Sequence, residues 1–535
     1  MNDRIACPIF SRLSRKDDLF LLIALAFAVG IYLYDMLRIL QLPISTLVSS
    51  RSIDDTFYYL NVARNWTAGR GLSFDGINST NGVQWGWFSF VSLLSLLIRD
   101  HESLFRATLA LAATLSLGTI GLSFALRKHI GPTGALAASV WLWCISRHCI
   151  FNIGIESNLN LFAVVGAFLF LCSWAARHPR PSPLITAVVV ASLVWIRIDN
   201  ILIASPIFIA IASFYALDKQ RTSAVIFLLL VGIMVLLIPS INYLTEGHAL
   251  QVSGLAKSVH EGHRSIHDAT IAQAVAMTWR GIERVLRMWL FSLPVVICSF
   301  TVFFRLAAGF VYSKWRSPLN VEGLSLLCCA FVGGGIHLVA TKYAFRYANM
   351  YLWHNVGSAS IIVLSLCGLM SAYDRIEKPW IRLALNTALL SNILFAGLLY
   401  WGGGYRTREM LASSFNPYLY RDRYEAALRI KDYISPGERV GSWNAGQLGY
   451  FSGVQVVNLD GLVNSARFLD VLQSRKYHTF LREQNIGWIV DYKIEYWWSR
   501  FSDDLLNKET IAVLPATHHD SYDMEIARIR DVKSN

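Results

Sequence analysis

Three acidic side chains stand out by position. Asp54 and Asp55 lie at the start of Ser52-Ile53-Asp54-Asp55-Thr56-Phe57-Tyr58-Tyr59-Leu60-Asn61-Val62-Ala63-Arg64-Asn65-Trp66. Glu156 stands in the short turn Gly154-Ile155-Glu156-Ser157-Asn158-Leu159 between two apolar runs. A carboxylate within hydrogen-bond reach of a hydroxyl can accept its proton in a transition state. Ionisable groups beside apolar spans are costly and are read first as functional. In the 52–66 stretch, Asp54, Tyr58, Asn61 and Asn65 recur at helical spacing as one polar stripe, flanked by apolar Tyr59, Val62, Ala63 and Trp66. This pattern predicts a helix along a membrane surface, with the stripe toward a cavity. The local alternative is that Asp54 or Ser52 caps the helix, and that Glu156 favours the N-terminus of the following one.

Other polar residues cluster in the same segments. Gly69-Arg70-Gly71-Leu72-Ser73-Phe74-Asp75-Gly76-Ile77-Asn78-Ser79-Thr80-Asn81-Gly82 carries Asp-Gly and Asn-Gly steps, which are turns before they are sites. Arg197-Ile198-Asp199-Asn200 is a tight hairpin whose Arg/Asp pair reads as a structural ion pair before a catalytic one. Lys342 and Arg346 stand among aromatics at a helix end, where snorkelling competes with binding an anionic headgroup. Lys257, His260, His263, Arg264 and His267 fall in the stretch 244–285. The i, i+4 pair of His263 and His267 has no placed third ligand, so an amphipathic solvated loop is the stronger reading there.

The elements that must position these residues are mainly membrane spans. The 535-residue chain is 54% hydrophobic and 16% charged, with mean hydropathy +0.42, whereas soluble domains carry roughly 25% charge. Residues 1–401 hold 31 basic and 19 acidic side chains; residues 402–535 hold 17 of each. The net +12 thus belongs to the apolar part, which argues against disorder and against a nucleic-acid-binding domain. All eight cysteines precede residue 402, without metal-type spacing. Apolar runs at 19–41, 104–126, 134–150, 159–176, 183–197, 200–217, 224–243, 286–308, 322–341, 356–372 and 383–401 predict about 11 transmembrane helices.

The run 85–98 is short for a crossing. If it only dips in, the basic loops at Arg127/Lys128, Arg177/Arg180, Lys219/Arg221, Lys314/Arg316 and Arg375/Lys378/Arg382 all fall on the side of the N-terminus. The first span follows Arg12, Arg15 and Lys16 without a small-residue cleavage site and reads as a retained signal anchor. The expectation is a multi-pass protein of the inner (plasma) membrane with a cytoplasmic N-terminus. Its outer face would gather 42–103, 151–158, 198–199, 244–285, 342–355 and everything after 402. Residues 402–535 read as a soluble extracytoplasmic α/β domain: helix 420–434, strands 440–443 and 454–459, a helix near 465–484 and a strand at 487–492. Trp497 and Trp498 suit sugar stacking or interface anchoring.

Asp54-Asp55-x-x-Tyr58, the Gly-x-Gly loop ending in Thr80-Asn81-Gly82, Gly154-x-Glu156-Ser157-x-Leu159 and Arg197-x-Asp199 form an ordered series over roughly 19–350. It resembles the GT-C superfamily of membrane glycosyltransferases, among them lipid A aminoarabinose transferases, protein O-mannosyltransferases and mycobacterial arabinofuranosyltransferases. Gly446-Gln447-Leu448-Gly449-Tyr450-Phe451 and Asp460-Gly461-Leu462 add weaker similarity. The resemblance implies a polytopic α-helical enzyme moving a sugar from a polyprenyl-phosphate donor, with inversion, to an outer-face glycan, lipid or protein acceptor. It places the catalytic aspartate on the Asp54/Asp55 pair and the second acidic motif at Glu156; the expected roles are Asp54 as general base, Asp55 assisting or orienting, and Glu156 positioning the acceptor or a metal.

Where relatives carry His-Pro-Leu or Lys-Pro-Pro after the Asn-Gly step, this chain has Val83-Gln84-Trp85-Gly86. That shifts the expected phosphate contacts to Lys342, Arg346, Lys257 and Arg264. Tyr58, Asn81, Gln84 and Arg197 would line the substrate cavity. No cofactor is required by the pattern, and a divalent cation on the three acids stays open. A transporter or flippase of lipid-linked glycans is the competing class, although its charges would sit nearer the bilayer midplane; a glycan polymerase is a third.

Overall fold

The computed structural model describes residues 16–131, 154–176, 180–262, 328–337, 352–369, 417–493, 508–519 and 521–530, with six isolated positions between 135 and 326. The chain is mostly helical and carries a C-terminal sheet domain. Helices α1 (Lys16–Gln41), α2 (Ile44–Arg51), α3 (Asp54–Thr67), α4 (Trp85–Leu97) and α5 (His101–Ala125) come first. Next are α6 (Ser157–Ala175), α7 (Pro183–Ile196), α8 (Ile201–Leu217), α9 (Arg221–Glu246) and α10 (Val252–Gly262). Helices α11 (Cys328–His337) and α12 (Leu352–Leu369) complete the described part of the bundle.

Local sequence sets several of these ends. The Asp100 side chain accepts from the Ser103 amide at 2.8 Å to start α5. Pro183 opens α7, where no amide donor is needed. Gly247, at φ +73°, ends α9 in the left-handed conformation.

Among the described residues, four helical segments are long and apolar enough to cross a membrane: His101–Ala125, Ser157–Ala175, Ile198–Leu217 and Arg221–Glu246. On α9 the exposed residues Val225, Leu229, Ile233 and Leu236 form an apolar stripe, which water would penalise and hydrocarbon would not. The 13 residues of α4 rise only about 20 Å, short of the roughly 30 Å hydrocarbon layer. Instead α4 packs on α3 and α7, burying Trp87.

The C-terminal domain begins with α13 (Pro417–Arg429) and continues through β1 (Arg439–Ser442), α14 (Ala445–Phe451) and β2 (Gln455–Asn458). It ends with α15 (Phe468–Ser474), α16 (Tyr477–Glu483), β3 (Ile486–Tyr492), β4 (Lys508–Leu514) and β5 (Met524–Ile529). The sheet order is β2-β1-β3-β5-β4, with β1 parallel to β2 and β3, and β5 antiparallel to β3 and β4. The helix expected near 465–484 is two helices, because Arg475 adopts φ +58° and closes the first. Strands β4 and β5 were not expected from the sequence; β4 is an edge strand exposed along most of its length, so it lacks a clear apolar alternation.

The membrane part and the C-terminal domain share a core. The Phe57 ring lies 5.1 Å from Phe105, 5.5 Å from Tyr450 and 5.2 Å from Phe451. Tyr424 meets Phe451 edge-on at 4.9 Å. Ala256 of α10 joins Phe468 and Leu472 in a second shared cluster. The segment 42–103, the turns at Gly154 and Arg197, the end of α9, and α10 therefore gather at the bundle end that the C-terminal domain covers. At the opposite end Arg180 pairs with Asp218 at 2.8 Å.

Candidate active site

Helix α3 brings the acidic pair to this covered end. Asp54 is buried, and its carboxylate faces the C-terminal domain: Oδ2 accepts from the Gly446 amide at 2.9 Å and Oδ1 from the Gln447 amide at 3.0 Å. Arg423 Nη1 of α13 stands 2.9 Å from Oδ1. The rest of the polar stripe follows. Tyr58 donates to Asp460 Oδ2 at 2.7 Å, Asn61 to the Gly446 carbonyl at 3.3 Å, and Asn65 to the Ser73 and Phe74 carbonyls at 2.9 Å each. The expected helix and stripe are present, but Asp54, Tyr58 and Asn61 meet the C-terminal domain and Asn65 meets the 69–82 loop, rather than an open cavity.

Gly446 is required where it stands. A Cβ there would lie 2.2 Å from the Asp54 carbonyl oxygen and 2.9 Å from its Cγ. Gly446→Ala should lower stability by about 1–3 kcal/mol through overpacking against backbone. Thermal unfolding of the purified chain checks it, and a variant as stable as the parent would mean that this approach is looser than described.

Asp55 is different from its neighbour. Its carboxylate is half-buried and accepts no hydrogen bond among the described residues. Burial raises its pKa to about 6; Lys257 opposes this, Asp54 and Glu156 add to it, and Arg423 opposes it. Asp460, in the loop after β2, is raised to about 7 by burial, against its hydrogen bonds from Tyr58 and from the Leu462 amide, with Asp55 adding to the rise. Burial and the Asp460 charge hold the Tyr58 hydroxyl well above its usual range. His260 Nε2 donates to the Asp460 carbonyl at 2.6 Å. Asp54, Asp55, Asp460 and Lys257 thus lie within electrostatic reach of one another in the region where α3, α10 and the C-terminal domain meet.

Glu156 sits one layer deeper. Its Oε2 accepts from the Tyr59 hydroxyl at 2.9 Å and its Oε1 pairs closely with Arg197. Arg197, itself buried, reaches Asp199 with Nε at 3.0 Å and Nη2 at 2.7 Å. Gln84 donates its backbone amide to the Tyr59 hydroxyl at 3.3 Å and accepts the Ile198 amide on Oε1 at 3.3 Å. Asn81, fully buried, accepts the Val252 amide at 2.8 Å and so fixes the start of α10. Arg197, Gln84 and Asn81 are therefore part of the frame around the acids.

Of the residues expected at a phosphate, Lys257 lies within electrostatic reach of Asp55, while Lys342, Arg346 and Arg264 lie outside the described residues, as do His263 and His267. Arg423 was not singled out in the sequence, since a lone arginine in an ordinary amphipathic helix gives no signal. Asp460 had one, the Asp-Gly turn. Among the described residues no three His, Cys, Asp or Glu side chains are grouped to hold a metal ion.

Residues 414–527 match a family described as a domain of unknown function (DUF8728). No curated protein matches the chain. Among solved structures, ArnT from Cupriavidus metallidurans in the apo state matches at TM-score 0.53 and 11% identity, covering 94% of this chain and 97% of ArnT. The same protein bound to undecaprenyl phosphate matches at 0.51 and 10%, covering 95% and 99%. The Archaeoglobus fulgidus oligosaccharyltransferase in complex with Zn and sulfate matches at 0.50 and 13%, covering 90% of this chain and 70% of that one. At these identities the likeness is one of architecture: the chain shares the fold of ArnT and of the Archaeoglobus fulgidus oligosaccharyltransferase.

Proposed function

We propose that this protein is a membrane glycosyltransferase that moves a sugar from a polyprenyl-phosphate donor to a hydroxyl of a glycan, lipid or protein acceptor on the outer face. The N-terminus would be cytoplasmic and the C-terminal domain extracytoplasmic. The observation that carries the reading is the Asp55 carboxylate, half-buried, unengaged by hydrogen bonds among the described residues and within electrostatic reach of Lys257. The GT-C fold and the undecaprenyl phosphate bound by one structural neighbour support the donor class.

The proton acceptor falls on Asp55 rather than Asp54, because both Asp54 oxygens are already taken by two amides and Arg423. Asp55 takes the acceptor hydroxyl proton as the oxygen attacks the anomeric carbon. The bond from that carbon to the phosphate oxygen breaks, and its electron pair leaves with the lipid phosphate. Lys257 offsets the developing charge in a partly dehydrated site. One displacement gives inversion. Glu156 and Arg197 hold the floor beneath Asp55.

Purified chain in detergent, given polyprenyl-phosphate sugars, should release free polyprenyl phosphate. Release should fall tenfold for each pH unit below about 6 and level off above it, since only ionised Asp55 accepts the proton. Absence of release from every donor of the class, or a flat profile between pH 4.5 and 8, would count against the reading.

A further inference from the structure

Arg423 is in a helix of the C-terminal domain but serves a residue of the membrane part. It is 4% exposed, and a buried guanidinium without a counter-charge is costly. Its Nη2 donates to the Tyr492 hydroxyl at 2.8 Å, and Cζ stands 4.9 Å from the Tyr492 ring and 5.7 Å from the Tyr420 ring. Asp54 is the facing carboxylate at 2.9 Å. That contact is close without being aligned as a hydrogen bond, so charge holds it. The two amides at the start of α14 bind the same carboxylate. All the compensation of Asp54 thus comes from one domain, while the next residue in the chain, Asp55, receives none of these hydrogen bonds.

We propose that Arg423 is a positioning residue for the transfer reaction: by holding Asp54 as a docked carboxylate, the C-terminal domain leaves Asp55 as the one proton acceptor of the acidic pair. This rests on the reading of Asp55 as the base. Two adjacent carboxylates with no such partner share a proton and titrate together. The groups facing Asp55 are Asp54 on its own helix, Glu156 at the start of α6, Lys257 on α10, Arg423 on α13 and Asp460 after β2. Arg423 and Lys257 favour its ionised form; the acids oppose it.

The test follows Asp55 protonation without using activity. Dicyclohexylcarbodiimide labels protonated carboxyls in apolar surroundings, and mass spectrometry of the full-length detergent-purified chain reads Asp55 alone. The labelling midpoint should lie near pH 6 in the parent chain. In Arg423→Gln it should rise by about one pH unit, and Arg423→Lys should restore most of it. Asp54→Asn should move it the opposite way, downward, and this decides the matter if Arg423→Gln does not fold. A midpoint unmoved in either folded variant overturns the proposal. The acidic limb of polyprenyl phosphate release should follow the same shifts. Labelling shifts without any release by the parent chain would sink the transferase reading alone; release with an immobile midpoint would sink this inference alone.

Discussion

Replacing Asp55 by Asn should reduce sugar transfer by about 10²- to 10⁴-fold, the usual contribution of a positioned general base, and should make the protein more stable at neutral pH. The two effects share one cause. Folding raises the Asp55 pKa from 3.8 to about 6, chiefly by burial. A carboxyl raised in this way stabilises the fold only while it is protonated, below its unfolded value. That contribution is lost as pH climbs through about 4 to 6 and is gone above the folded value. At pH 7 the ionised group therefore burdens the fold by about 1–2 kcal/mol after allowance for its partial exposure, and the neutral amide removes that burden. Asp54→Asn should do the reverse to stability, because it removes the charge that faces Arg423 and the acceptor oxygen of one of the two amides. Thermal unfolding at pH 7 beside donor turnover checks both. An Asp55→Asn chain that keeps full turnover would remove Asp55 from the chemistry. A chain that loses turnover and also melts lower would assign Asp55 to structure instead.

These opposite expectations for neighbouring aspartates could not be read from the sequence. Helical spacing placed Asp54, Tyr58, Asn61 and Asn65 on one face, and the face exists. What occupies it depends on contacts made across almost four hundred residues, such as Gly446 and Gln447 to Asp54, and spacing carries no information at that range. The membrane helices were legible because a bilayer imposes length and apolarity locally, and α5, α6, α8 and α9 fall on predicted spans. The C-terminal strands β1 to β3 were legible from short apolar runs bounded by turns. Arg423 was not, because a buried arginine and a solvated one look alike in a helix until their surroundings are known. Lys257 was chosen for its charge, and α10, which brings it within electrostatic reach of Asp55, is fixed at its start by Asn81 capturing the Val252 amide.

Arg197→Met should destabilise the chain by about 3–5 kcal/mol, the range for breaking a buried ion pair from one side. Arg197 is 4% exposed and serves two carboxylates, Glu156 and Asp199, with His337 Nε2 3.3 Å from the latter. Removing the guanidinium leaves both acids without it in an apolar surround. Glu156 would also lose the counter-charge that fixes its Oε2 under the Tyr59 hydroxyl, so the floor beneath Asp55 should loosen and transfer should drop with stability. A second substitution separates the ion pair from simple packing. Glu156→Gln in the Arg197→Met background removes one orphaned charge while keeping a hydrogen-bond acceptor for Tyr59. The double variant should recover part of the lost stability, since residues of one network do not add. Thermal unfolding of the two single variants and the double measures the coupling. If the double loses the full sum of the singles, the two side chains act independently, and Glu156 becomes free to be read as a group that meets substrate rather than one locked into the frame.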